Sequence, residues 1–345
     1  MNNKSIQIQI AERAGVSQTF VSFVINNNEK QLARMKPATV ERVRAVAEEM
    51  GYYRNELFAA VRRGHSRFIA LLARNVSMEY YARVIEEIMD STEQLGYTQK
   101  LFKLRDDEGI QTAVKRIQEY RIPGGVLVDI DSAIAKQFNE TLSDPSFTTL
   151  QINSDPKVFP DGASVRVDGK TAMTQAIEHL STLGHRKIAY VGLADKDYAH
   201  KARRKHFEDE LANKGLKAVF PPIPVTWDLN DGCEALFETL KTTNRPTALI
   251  CYSDLAAMIV YNAAAAAGLR IPQDLSVIGF DDDDFASLMS PPLTTFKQNL
   301  SVIRESYVPE LIQSIESGKP MNRRRKRLIP VTLIERNSTG PAPKK

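Results

Sequence analysis

Few residues in this 345-residue chain stand where they could carry a reaction. Gly169-Lys170-Thr171 copies the end of a phosphate-binding P-loop, but the glycine needed five positions before Gly169 is Ser164, so the match is chance. No GxSxG elbow presents a nucleophile, and no HExxH pair presents metal-binding histidines. The histidines, His65, His179, His185, His200 and His206, lack metal-ligand spacing. Asp281-Asp282-Asp283-Asp284 follows an apolar run, where a solvated loop is a better reading than a cation site. The basic run Arg323-Arg324-Arg325-Lys326-Arg327 reads first as a solvated crossover loop. A contact to DNA or to an acidic partner is the sharper alternative for it. The expectation is a protein that is not an enzyme and uses no metal and no cofactor; what remains is binding chemistry.

The elements that would position such chemistry belong to a two-part chain. A length of 345 residues suits two or three domains, and 43% hydrophobic with 26% charged residues is ordinary for a globular protein. No apolar run approaches a membrane span, and the start Met1-Asn2-Asn3-Lys4 leads into alternating Ile and Gln rather than a signal core. Cys233 and Cys251 lack CxxC spacing and fit a reducing cytosol. Residues 1–66 hold ten Lys and Arg against six acids, which is the whole net charge of +4; the remaining residues balance. A basic head on a neutral body is the asymmetry of a nucleic-acid-binding module.

The head reads as three helices. Ile10, Ala11 and Ala14 share an apolar face, interrupted at Gly15 where a turn needs a permissive backbone. Ser17 stands as an N-cap before a second helix with Val21, Val24 and Ile25 at core spacing. A polar loop, Asn26 to Lys36, precedes Pro37 at the first position of a third helix, whose Val40, Val43, Ala47 and Met50 run on to the stop at Gly51. This is a helix-turn-helix, whose second helix enters the major groove; a three-helix protein-interaction module is the plainer alternative.

In the body, apolar runs at Phe68–Ala73, Val126–Asp129, Thr148–Ile152, Ile188–Gly192, Leu249–Tyr252 and Leu275–Phe280 predict strands. Helical periodicity lies between them, as in Val84–Leu95, Ala172–Leu183 and Ala199–Lys214. Alternation of this kind predicts parallel sheets covered by helices, with ligands at the carboxyl ends of the strands.

Particular strings carry a family resemblance. Ile10-Ala11-Glu12-Arg13-Ala14-Gly15-Val16-Ser17, Val21-Ser22, Ile25-Asn26, Met50-Gly51-Tyr52 and Asn55 resemble the head of the lactose-repressor (LacI/GalR) family of bacterial transcription regulators. Leu183-Gly184-His185-Arg186, Gly279-Phe280-Asp281-Asp282, Pro291-Pro292-Leu293-Thr294-Thr295 and Arg336-Asn337-Ser338-Thr339 extend it over residues 8–339. The resemblance implies a small all-α helix-turn-helix head and an α/β body of the periplasmic-binding type with two parallel-sheet lobes. It implies residues 1–55 for the DNA-binding domain, 56–66 for a hinge and 67–340 for effector binding and dimerisation. Within the body the N-lobe is expected over about 67–163 and 293–323 and the C-lobe over about 164–292 and 328–339, leaving 341–345 as a tail.

The implied DNA contacts are Gln18, Thr19 and Phe23 on base edges, with Ser17 and Ser22 near phosphates and Asn26 among the DNA-binding residues. Phe23 replaces a polar residue and Phe20 a Thr, so the operator of a relative does not transfer. Phe58, Val61 and Arg62 fall on the hinge, framed by Asn55 at the end of the head, and Val61 stands at the apolar wedge position for the minor groove. Implied effector contacts are Tyr80, Tyr81, Asn153, Arg203, Trp227, Ser253 and Asp281, with core packing or surface pairing as the plain alternative for Tyr81, Trp227 and Arg203. An aromatic face with a charged hydrogen-bonding pair suits a sugar, or a nucleoside or nucleobase.

The expected protein is a cytoplasmic, nucleoid-associated repressor. As a homodimer it would bind a palindromic double-stranded DNA operator under control of a small polar effector. The alternative is a stand-alone small-molecule-binding protein whose N-terminal helices mediate protein contacts.

Overall fold

The computed structural model describes residues 5–26, 29–52, 60, 64–76, 78–159, 162–193, 198–216, 223–225, 234–323 and 325–344. They fall into two compact units, Met1–Arg67 and Phe68–Lys345. Among the described residues, no helix is long and apolar enough to cross a membrane.

The first unit contains α1 (Ile6–Ala14), α2 (Gln18–Ile25), α3 (Glu29–Leu32) and α4 (Pro37–Glu49). Gly15, at φ 64°, ends α1 in the left-handed conformation that a side chain disfavours. Ser17 Oγ accepts the Phe20 N–H at 3.1 Å and caps α2. Ile10, Ala14, Val21, Val24, Val40 and Val43 close one small core. The polar segment expected to be loop holds the single turn α3, because Leu32 and Met35 pack onto that core.

In the second unit, β1 (Phe68–Ala73), β2 (Thr98–Lys103), β3 (Gly124–Val128), β4 (Thr148–Ile152), β5 (Ala163–Val167) and β11 (Arg327–Ile329) make one sheet. Its order is β11-β5-β4-β3-β1-β2, and every pairing is parallel. Strands β6 (Ile188–Leu193), β7 (Ile223–Val225), β8 (Ala248–Cys251), β9 (Ser276–Asp281), β10 (Thr294–Gln298) and β12 (Val331–Ile334) make the other, ordered β12-β10-β9-β8-β6-β7. The expected parallel sheet is modified here, since β12 runs antiparallel to β10 at the edge.

Helices cover both faces of each sheet, as the continuous burial of β3 and β9 requires. On the first sheet, α5 (Glu79–Gln94) and α12 (Val308–Ser317) bury Val84, Ile88 and Leu311, while α6 (Asp107–Glu119) and α7 (Ser132–Leu142) bury Ile110 and Phe138 opposite. On the second, α8 (Gly169–Thr182) and α9 (Tyr198–Asn213) bury Ile177 and Phe207; α10 (Glu234–Lys241) and α11 (Asp254–Ala266) bury Leu236 and Val260.

Three crossovers join the lobes. The Asp168 N–H donates to Ile329 O at 3.0 Å, and the Asn299 N–H to Pro330 O at 2.9 Å, which ties the three segments into one seam. The expected lobe limits need correction. Residues 164–167, placed above in the C-lobe, belong to the first sheet, whereas β10, placed above in the N-lobe with 293–323, belongs to the second. Residues 328–329, placed above in the C-lobe with 328–339, also belong to the first sheet, and the chain changes sheets at Pro330, which has no N–H to continue a ladder.

Candidate functional site

On the head, Gln18 and Thr19 are exposed and Ser22 and Phe23 half-buried, all on α2. Phe20 turns inward onto the head core, a packing reason for an aromatic where a hydroxyl was expected. Ser22 and Asn26 are tied together: Asn26 Nδ2 donates to Ser22 O at 2.6 Å and to Ser22 Oγ at 3.1 Å. Asn55, Phe58, Val61 and Arg62 lie outside the described residues.

In the body, polar residues gather where the two sheets end. Asp129 follows β3, Asn153 follows β4 and Asp281 closes β9, with φ of 52°, 55° and 112°. Left-handed backbone is unfavourable for residues with a side chain, and Asp and Asn tolerate it best by hydrogen-bonding locally. Helix α5 begins with Tyr80 and Tyr81, and α9 supplies Arg203. Tyr81 Oη donates to Asp129 Oδ2 at 2.5 Å. Asn153 Nδ2 donates to Tyr80 Oη at 2.7 Å, while its Oδ1 accepts the Val167 N–H at 3.1 Å.

From the other lobe, Gln298 Nε2 donates to Asp281 Oδ1 at 2.6 Å. Arg203 lies 3.6 Å over the Phe280 ring and donates from Nη1 to Tyr252 O at 2.5 Å. Burial pushes the Asp281 carboxyl well above its ordinary range; Asp283 adds to this and Arg203 opposes it. Burial also raises the Tyr80 hydroxyl, ahead of the charge on Asp129. Gln298 lines a cleft of about 20 Å³, and its Oε1, among the described residues, is buried with no hydrogen-bond partner. That is room for about one water, so a larger guest must part the lobes or turn side chains.

These groups include most of the effector residues expected above. Tyr80, Tyr81, Asn153, Arg203, Ser253 and Asp281 all line the cleft. Ser253 Oγ accepts the Ala256 N–H at 3.2 Å and so caps α11 as well. Trp227 lies outside the described residues. Sequence reasoning missed Asp129, Tyr252 and Gln298. Asp129 had a signal, a carboxylate closing an apolar strand, but Gln298 becomes visible only once the crossover is placed.

The Asp281–Asp284 run is not the solvated loop expected. Asp281 and Asp283 are buried, because α5 of the first lobe covers the segment. Arg83 Nη1 donates to Asp281 O at 3.2 Å and Asp282 O at 3.1 Å, Glu79 Oε1 accepts the Asp284 N–H at 2.8 Å, and Arg336 pairs with Asp282 at 2.6 Å. Beneath, Asp254 accepts from Asp283 N at 2.8 Å and Thr295 Oγ1 at 2.5 Å. Among the described residues no group of three or more His, Cys, Asp or Glu is arranged to hold a metal ion.

Burial, reinforced by Glu79 and opposed by Arg83, pushes Asp283 up to about 7. An acid raised in the fold holds a proton there that it releases in the unfolded chain. Its contribution to stability is full near pH 4 and fades as pH rises through 7. Asp283→Asn therefore removes part of the pH dependence. From pH 6 to 8 the wild-type Tm should fall relative to the variant by about 2–4 °C, read by calorimetry on both.

Of the basic run, Arg323, Arg325 and Lys326 are exposed, as a solvated loop requires, and among the described residues Arg327 departs from that reading. Arg327 is fully buried: it pairs with Glu310 of α12 through Nε at 3.0 Å and through Nη2, and donates to Asn322 O and Arg325 O. It is a structural cation rather than part of a solvated loop.

Comparison with known proteins matches residues 8–55 to the family described as bacterial regulatory proteins, lacI family, and residues 177–339 to a periplasmic binding protein-like domain. The HTH-type transcriptional repressor PurR of Pectobacterium carotovorum subsp. carotovorum is 30% identical over 350 residues, covering 97% of this chain and 96% of its own. This chain belongs to the lacI family of bacterial regulatory proteins. It is a DNA-binding, ligand-responsive transcriptional repressor.

The lacI-family match extends along the chain. The HTH-type transcriptional regulator DegA of Bacillus subtilis is 28% identical over 342 residues, with 98% of this chain and 99% of that protein covered. The lac repressor dimer bound to operator and the anti-inducer ONPF shares the fold at a TM-score of 0.80 and 24% identity, covering 96% of this chain and 98% of that one. These lacI-family relatives are transcription regulators, not enzymes.

Proposed function

We propose that the protein acts in the cytoplasm as a homodimer, with two heads reading the halves of a palindromic operator and one small polar effector per body deciding operator affinity. Two-fold symmetry in the protein demands two related half-sites in the DNA. Gln18, Thr19 and Phe23 face the bases, and Ser17, Ser22 and Asn26 anchor the helix near phosphates. Asn55 and the hinge residues Phe58, Val61 and Arg62 meet the minor groove. The protein binds and releases; it transforms nothing.

In the body, Asp281, Arg203, Asn153, Tyr80 and Tyr81 hold the effector, joined by Asp129 and Gln298; Ser253 and Trp227 belong to the same set. This reading is supported by one cleft lined by donors and acceptors from both lobes, among them Gln298, whose buried Oε1 has no donor. A buried acceptor without a donor is costly, and a hydroxyl or N–H of a sugar or nucleoside satisfies it. An effector that bridges the lobes favours one lobe arrangement over the other, and differential affinity of that kind is what a switch requires.

The test is selection of bound duplexes from a random pool by the full-length protein. One palindrome is expected, with the preferred base in each half-site relaxed by Gln18→Ala. Failure to enrich any sequence at low salt would overturn the DNA-reading assignment and favour a protein-contact role for the head.

A further inference from the structure

Beside the cleft, and sharing Asn153, Ala199 and Arg203 with it, lies a larger bay of about 260 Å³. Its walls come from both lobes. Arg166 at β5 and Lys326 before β11 belong to the first, Lys170 in the first turn of α8 and Arg203 on α9 to the second. Arg166 Nη1 donates to Tyr198 Oη at 3.2 Å across the gap. The acid in the lining, Asp168, is engaged by its own helix, accepting from Thr171 N at 3.2 Å and Thr171 Oγ1 at 2.8 Å. Among the described residues, no carboxylate forms an ion pair with Arg166, Lys170 or Lys326; residues 194–197, before α9, lie outside them.

Cations on both lips oppose closure, because like charges are brought together in a partly desolvated gap. An anion between them reverses the sign, pairing with each lip at once. It therefore binds the closed arrangement better than the open one. Arg and Lys are the side chains suited to phosphate and carboxylate oxygens. We propose that the effector carries an anionic group, a phosphate or a carboxylate, which sits in this bay while the polyol or nucleoside part occupies the cleft. The inference rests on the reading of the cleft as the effector site and narrows the class of effector to sugar phosphates, sugar acids or nucleotides.

Calorimetric titration of the full-length protein with matched compounds tests it: glucose against glucose phosphate and gluconate, and adenosine against its monophosphate. The charged member of at least one set should bind about tenfold tighter or better than its neutral partner, with the advantage shrinking as NaCl rises. Inorganic phosphate should compete with the charged member only. The double variant Lys170→Ala/Lys326→Ala changes two exposed residues. It should remove the charge preference and keep the wild-type thermal midpoint and the wild-type affinity for the neutral partner. The phosphate and carboxylate arms distinguish the two anions. Equal affinity for charged and neutral members, or a preference that survives the double variant, overturns the inference and leaves the cleft assignment standing. Failure of every member to bind counts against both.

Discussion

Arg203→Met and Asp281→Asn each weaken effector binding about 10- to 100-fold and leave the operator affinity of the effector-free protein at the wild-type level. Arg203 lies 3.6 Å over the Phe280 ring, so alanine would remove packing along with charge. Methionine keeps an apolar body there and removes the guanidinium with its donors and charge. Asparagine at 281 retains an acceptor for Gln298 Nε2 and removes the charge that burial makes costly. The readout is operator binding across an effector titration, with the effector found by screening metabolites against the selected operator. A wild-type response from both variants would remove these residues from the effector site.

Glu310→Ala should cost about 3–5 kcal/mol of body stability, read by urea denaturation, because it strands the buried Arg327 guanidinium without its carboxylate. An ion pair of this kind stabilises little against apolar residues of similar shape, and its loss by halves is what harms. Glu310→Leu combined with Arg327→Met should therefore recover most of the loss. A single variant within about 1 kcal/mol of wild type, or a double variant no better than the single, would contradict this account of Arg327.

Local chemistry was legible in the sequence wherever one residue dictates it. Ser17 caps α2 and Gly15 turns the chain because cap and left-handed turn each depend on a single residue type. The residues that the resemblance implied for an effector site were named from the sequence, and Asp281, Arg203 and Asn153 line one cleft. Facts set by distant segments were hidden. Asp283 is buried because Arg83 and Glu79 arrive from far along the chain, and Arg327 because Glu310 meets it across the first lobe. A charge run looks solvated until its partner is known. The lobe limits failed for a related reason: β5, β10 and β11 exchange sheets within a few residues of the seam, and nothing in their apolar pattern says which sheet each joins.

If the cleft and the DNA-reading head share one equilibrium, as proposed, effector and operator binding must be reciprocally linked. Operator affinity is measured with and without saturating effector, and effector affinity with and without saturating operator, on the same full-length protein. The account predicts that both change, by the same factor and in the same direction, since coupling free energy has a single value. An effector that binds in the cleft with the same affinity whether or not operator is present, and leaves operator binding unmoved, would contradict it.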